Sequence, residues 1–175
     1  MQKTVITYGV IAGLILTVVG YATKSLWIGD DGKMNMDLSM ILGYLNMIVA
    51  LSMVFFGIRQ YREKHTGGTI TFGRAFKVGF FICLIASVFY VVGWMIYYNT
   101  SDMAQTFPVQ YLEHMKQKWT AAGLSAAEID AKSATFARNM EMYKNPVIMA
   151  GMTLMEILPV GLVITLLSAL ILKKK

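Results

Sequence analysis

Four long stretches of this chain carry almost no charge, and each is long enough to cross a lipid bilayer. The first runs from Thr4 to Thr23, with the span taken on to about residue 28. The others run from Leu38 to Ile58, from Val78 to Thr100 and from Pro146 to Leu172, the last holding one charge, Glu156. About 20 apolar helical residues cross roughly 30 Å of hydrocarbon. Inside lipid every backbone N–H and C=O must be satisfied by the protein itself, which leaves helices or closed barrels. Barrel strands alternate polar and apolar residues, and these runs do not. The expected fold is therefore all-α: a polytopic membrane protein with four transmembrane helices. Composition agrees. Only 15% of residues are charged, against about 25% in an average soluble domain, too few to clothe a soluble surface of this length.

A cleaved leader is the competing reading of the first stretch. Lys3 gives it a basic start, and Gly20 and Ala22 have the small-x-small look of a cleavage site. Its apolar run exceeds the roughly 7–15 residues of a leader core, so it is read as a retained span.

Lysine and arginine near span ends favour the cytoplasmic side. The second loop carries Arg59, Arg62, Lys64, Arg74 and Lys77, the start carries Lys3, and the tail ends Lys173-Lys174-Lys175. The first loop has only Lys24 and Lys33, opposed by Asp30, Asp31 and Asp37. Both termini and the second loop are therefore expected in the cytoplasm, with the basic rim against anionic lipid head groups. The net charge of +6 has this explanation, and no nucleic-acid partner is expected.

Residues 101–145 are the one sizeable extramembrane segment, expected as an extracytoplasmic hairpin of two amphipathic helices. Pro108 suits a first helical turn. Leu112, Met115 and Trp119 share a face, and Gly123 suits a helix end. Ser125 with Glu128 is a capping box, with Leu124 and Ile129 placed as its hydrophobic staple. Ile129, Phe136, Met140 and Tyr143 form the second stripe.

The second loop has a distinctive wording: Gly57-Ile58-Arg59-Gln60-Tyr61-Arg62-Glu63-Lys64 closes one span, and Gly67-Gly68-Thr69-Ile70-Thr71-Phe72-Gly73-Arg74-Ala75-Phe76-Lys77-Val78-Gly79 opens the next. With the four-span layout, the long third loop and Pro159 in the fourth span, it resembles the bacterial membrane family called "domain of unknown function 4199". The resemblance implies the inner membrane of a Gram-negative bacterium. It brings no activity, substrate, cofactor or catalytic residue.

Glu156 is the most informative single residue. An ionisable group deep in a span is costly and is usually turned inward. Pro159, three residues on, removes a helical donor and is expected to kink the helix. Asn46 lies eight residues into the second span and Glu156 ten into the fourth, or about 12 and 15 Å below the same edge at 1.5 Å per residue. Thr17 and Tyr90 reach a similar level from the other side. One intramembrane polar layer of Thr17, Asn46, Tyr90 and Glu156 is expected, the alternative being that each bonds its own backbone.

Small residues recur every fourth position at Gly9, Gly13 and Thr17, at Gly79, Cys83 and Ser87, and at Gly161, Thr165 and Ala169. Such faces let helices approach closely. Internal packing is the expected use, a membrane-protein partner or second copy the alternative. The strings Ile6-Thr7-Tyr8-Gly9 and Ile70-Thr71-Phe72-Gly73 hint faintly at repeated hairpins.

Nothing else marks chemistry. His65 and His114 fall on opposite sides of the membrane by this topology, and neither has a second ligand at metal spacing. Cys83 reads as a small buried residue. Gly67-Gly68 lacks the phosphate-loop pattern, and no nucleophile motif is present. The expectation is a non-enzymatic accessory or interaction protein without cofactor or metal, with a small channel or proton- or ion-coupled transporter using Glu156 as the alternative.

Overall fold

The long helices begin where a polar side chain can satisfy a free N–H. Asn35, Thr71 and Asn145 accept from the N–H groups of Leu38, Arg74 and Val147, the ordinary N-cap role of these residue types. The computed structural model describes residues 1–174. Its helices are α1 (Gln2–Ala22), α2 (Lys24–Trp27), α3 (Met36–Leu51), α4 (Met53–His65), α5 (Phe72–Thr100), α6 (Met103–Ala121), α7 (Ala126–Tyr143) and α8 (Pro146–Leu172). No strand occurs among the described residues, only two isolated bridges. α1, the joined α3–α4 unit, α5 and α8 are each long and apolar enough to cross a membrane. The protein is an all-α polytopic membrane protein with four transmembrane helices.

α5 is the hub. Its α1 seam runs parallel: a Cβ added at Gly9 would come 2.7 Å from the Cβ of Ile85, one at Gly13 would meet the Phe89 ring, and Gly93 faces Thr17. Its α8 seam runs antiparallel, Gly79 against Thr165 and Gly161 against the Cys83 sulfur. All three small-residue stripes are thus engaged within the chain, where close backbone approach gives the dispersion contacts that hold helices together in lipid. The Ile-Thr-aromatic-Gly strings are not equivalent positions. Gly9 packs beside Ile85, well along α5, whereas Gly73 lies in its first turn.

The tightly packed half of the bundle lies towards the second loop. There α4 sits against α1, α5 and α8, and Leu51, Val54, Ile58, Ile82 and Ile157 are wholly buried. α3 behaves differently: it lies on α1 and touches α8, but hardly meets α5. The change falls at Ser52. Its hydroxyl donates to the Val49 carbonyl at 2.6 Å, and its own carbonyl accepts the Phe55 N–H at 3.0 Å and the Phe56 N–H only at 3.4 Å. This local tightening from i+4 to i+3 bonding is a recognised way for a helix to change direction.

The chain's end is tied to the second loop. Ile70 and Lys174 exchange both backbone bonds, at 2.8 and 2.9 Å, and the Arg62 guanidinium donates to the Leu172 carbonyl at 3.2 Å. Because α1 is parallel to α5, the N-terminus lies at this same end. Lys175, last of the tail lysines, lies outside the described residues.

The helices end in places other than the apolar runs do. The first span, taken to residue 28, divides at Thr23. α1 stops at Ala22, and Lys24–Trp27 is a separate turn. α5 starts at Phe72, six residues before Val78, where the Thr71 side chain caps it. The second span continues as α4 to His65, helped by an Arg59–Glu63 pair at i,i+4 spacing and 2.9 Å. Pro108 is not in a first turn. α6 begins at Met103, where the Asp102 carbonyl accepts from Gln105 and Thr106. Pro108 therefore sits inside α6, at the cost of one bond to the carbonyl of exposed Ala104. α7 starts with the expected capping box at Ser125 and Glu128. α6 and α7 touch through stacked Tyr111 and Phe136 and through Lys132 over the Trp119 ring.

Candidate functional site: a cavity at Glu156

Where α3 leaves α5, the bundle holds a cavity of about 560 Å³. The inward face of α3 lines it at Met36, Ser39, Gly43 and Asn46, spacings of three and four that put these residues on one stripe. Gly43 matters by what it lacks, since a Cβ added there would meet nothing within 4 Å. α1 contributes Leu16, Thr17 and Gly20, α5 contributes Tyr90, Gly93 and Trp94, and α8 contributes Met152, Thr153 and Glu156.

All four residues of the expected polar layer line this one space, but they do not form one network. Tyr90 and Glu156 are joined, the Tyr90 hydroxyl donating to Glu156 Oε2 at 3.3 Å. Asn46 Nδ2 donates to the Leu16 carbonyl at 3.0 Å, which ties α3 to α1. Thr17 donates to the Gly13 carbonyl of its own helix at 2.9 Å. Thr153, unremarked in the sequence, does the same to Met149 at 2.8 Å. Asn46 is 8% exposed, and its Oδ1 has no partner among the described residues. Glu156 is exposed and Tyr90 half-buried, as side chains bordering open space should be. Pro159 lies one turn further along an α8 that continues through it. The carbonyl of Met155, next to Glu156, thereby loses its helical donor.

The roof is aromatic. Phe107 and Tyr111 of α6 and Met140 and Tyr143 of α7 close the cavity from beyond the spans. The roof is fastened by Trp94 Nε1, which donates to the Tyr143 hydroxyl at 2.6 Å, and by edge-to-face packing of Tyr98 on Tyr143 and Trp94 on Phe107. Offset and edge-to-face pairs each add about 0.5–1.5 kcal/mol beyond their buried area. The first loop is fastened to the same roof. Gln110 accepts from the Met34 N–H at 2.7 Å and donates to the Gly32 carbonyl at 3.0 Å. Lys118 meets Asp37 at 2.7 Å, and His114 Nε2 lies 3.5 Å from the same carboxylate. The only other charge on the cavity wall is Lys24, whose ammonium sits 5.1 Å from the Tyr97 ring centre.

The cavity is blind. Past Asn46 and Glu156 towards the second loop comes the closely packed half with Leu51, Ile82 and Ile157. No group of three or more metal-ligating side chains occurs among the described residues.

The basic residues of the second loop form no part of this cavity. Arg59 and Arg62 both reach Glu63, at 2.9 and 3.6 Å. Lys64, Arg74 and Lys77 are exposed, and Phe72, Phe76 and Phe80 stack along α5 beside them.

A family model described as "Protein of unknown function (DUF4199)" matches residues 7–174. The chain belongs to the DUF4199 family. No curated protein and no solved structure matches this DUF4199 chain. The match covers α1 from residue 7 on, the other three spans in full and every residue that lines the cavity, so the Glu156 site lies wholly inside the region that defines DUF4199 membership.

Proposed function

We propose that this protein is a non-enzymatic membrane protein that binds a small molecule in the cavity at Glu156. One observation carries the reading: a partly open space of about 560 Å³, with largely apolar walls and a few polar groups at its end. Small-molecule sites have this size and character, commonly about 300–1,000 Å³. Of the two activities expected from the sequence, a channel gains least, because the space ends on packed side chains. A binding protein, or one stage of a carrier, is supported best. An accessory role towards another membrane protein is a second reading. It is favoured by a groove of about 1200 Å³ lined by α6, α7 and the tops of α5 and α8, including Val109, Leu112, Phe136 and Met140.

We further propose a bacterial inner-membrane location with both termini cytoplasmic and α6–α7 outside. The support is that Arg59, Arg62, Lys64, Arg74 and Lys77 flank the loop that holds the C-terminal backbone. A bilayer's anionic head groups would favour that cluster on the cytoplasmic side. With the small-residue stripes used internally, the bundle has no need of a second copy to complete its seams.

The test fills the space. Gly43→Phe places a ring where the native chain has room, so the variant should insert and behave in detergent like the parent. A neutral environment-sensitive dye, N-phenylnaphthylamine, should brighten with the parent and much less with the variant. Equal brightening by both would remove the cavity as the binding site.

A further inference from the structure

The deep end of the cavity is built to accept hydrogen bonds and positive charge. Three of its polar side chains have already given a proton to backbone. Thr17 donates to Gly13, Thr153 to Met149, and the Asn46 amide nitrogen to Leu16. What the two threonines leave towards the space is acceptor capacity, because a hydroxyl that donates keeps its lone pairs. Asn46 Oδ1 is buried, unpartnered among the described residues, and belongs to a residue on the cavity wall. The Glu156 carboxylate has one donor, Tyr90, at a long 3.3 Å, though a carboxylate can accept several. The one cation on the wall, Lys24, lies on the Tyr97 ring, on the far side of a helical break from the span that carries Thr17.

The walls answer the same charge. Tyr44, Tyr90, Trp94 and Tyr97 flank the space between Glu156 and the roof. Aromatic faces attract cations, most strongly where water is excluded. A bare metal ion fits poorly, since the cavity is many times the volume of an ion and holds one carboxylate.

We infer that the ligand of this cavity is a protonated organic amine, its ammonium group at Glu156 and Asn46 and its apolar body between the aromatic walls. This rests on the cavity being a binding site at all. An ammonium supplies the N–H donors that the acceptors lack, which a quaternary cation or a neutral alcohol does less well.

Three probes with one ring system and different charge decide it: naphthylmethylamine, naphthylmethanol and naphthoate, titrated by calorimetry into the full chain in a neutral maltoside detergent. The amine should bind at least about tenfold more tightly than the alcohol, as a charge-assisted contact to the carboxylate requires, and naphthoate should bind most weakly. Glu156→Gln should abolish the preference for the amine, and its elution and melting with the parent in the same detergent show the variant bundle to be intact. Gly43→Phe should weaken amine and alcohol alike. If all three probes bind the parent equally, or if Glu156→Gln keeps the amine preference, the inference fails while the cavity stands as a binding site. If none binds the parent, or if Gly43→Phe leaves every affinity unchanged, the binding reading fails with it.

Discussion

The Tyr90 hydroxyl donates to the Glu156 carboxylate across 3.3 Å, joining the hub helix α5 to α8 through the one acidic residue that either helix contains. Removing the donor by Tyr90→Phe keeps the ring and its packing. Hydrogen bonds between membrane helices average about 0.6 kcal/mol and reach about 1.7. The long separation places this one towards the lower end. A loss of about 1 kcal/mol or less is expected in reversible unfolding from mixed micelles. A loss of several kcal/mol would mean that the pair is a structural lock rather than the loosely held wall of a cavity.

Gly161 and Cys83 should show strong coupling. A Cβ at Gly161 would run into the Cys83 sulfur, while the Cys83 Cβ would stay 3.5 Å away. Gly161→Ala alone should therefore destabilise the α5–α8 seam by about 1–3 kcal/mol, the usual cost of overpacking. Cys83→Ala should restore most of that loss when combined with it. A double-mutant cycle in the same unfolding assay measures the coupling, and additive effects would contradict the packing described.

Gln110 clamps the first loop to α6 by bonding both Met34 N–H and Gly32 C=O. Gln110→Ala should leave the spans intact and free the loop. Hydrogen exchange at Met34 should accelerate, with little change along α5. A net hydrogen bond contributes about 0.5–1.5 kcal/mol, so the exchange rate should rise by roughly threefold to tenfold per bond lost.

The start of α7 should respond to acid. The Ser125 hydroxyl and backbone N–H both donate to Glu128, holding its carboxyl below the ordinary glutamate value of 4.5. A carboxylate with a depressed folded pKa contributes stability that is fully present above the unfolded value and lost as pH falls through the folded one. Exchange protection at Glu128 and Ile129 should thus be flat above about pH 5 and decline progressively below 4.5. Glu128→Gln should flatten that dependence. Decline beginning near neutral pH would point to a different group.

Much of the fold could be read from residue order because lipid imposes length and charge rules that leave few solutions. α8 begins at Pro146 and ends at Leu172, where a cap and a run of lysines bracket an apolar run. The Ser125–Glu128 box was equally legible, being a local reciprocal bond. The common level of Thr17, Asn46, Tyr90 and Glu156 followed from rise per residue alone. What they face did not. The cavity arises because α3 stands off α5 beyond Ser52, and that depends on how four helices share one cross-section. A single serine carries no such signal, since one that bonds its own helix often bends it but gives neither the direction nor the size of the bend. Pro108 departs from its expected first turn for a related reason. Its preference for a first turn is statistical, whereas burial of Met103 at 3% exposure rewards starting the helix earlier. The Trp94–Tyr143 fastening joins residues far apart in sequence, which no local pattern announces.

The hub position of α5 bears on how the protein is made. The glycine face of α1 is completed by the third span to emerge from the ribosome, not by the one that follows it. Until α5 arrives, Gly9 and Gly13 must wait in lipid without their neighbours Ile85 and Phe89. A nascent chain stalled after α4 would therefore carry an unmatched notch along its first span, and a quality-control protease that senses such notches would find it there.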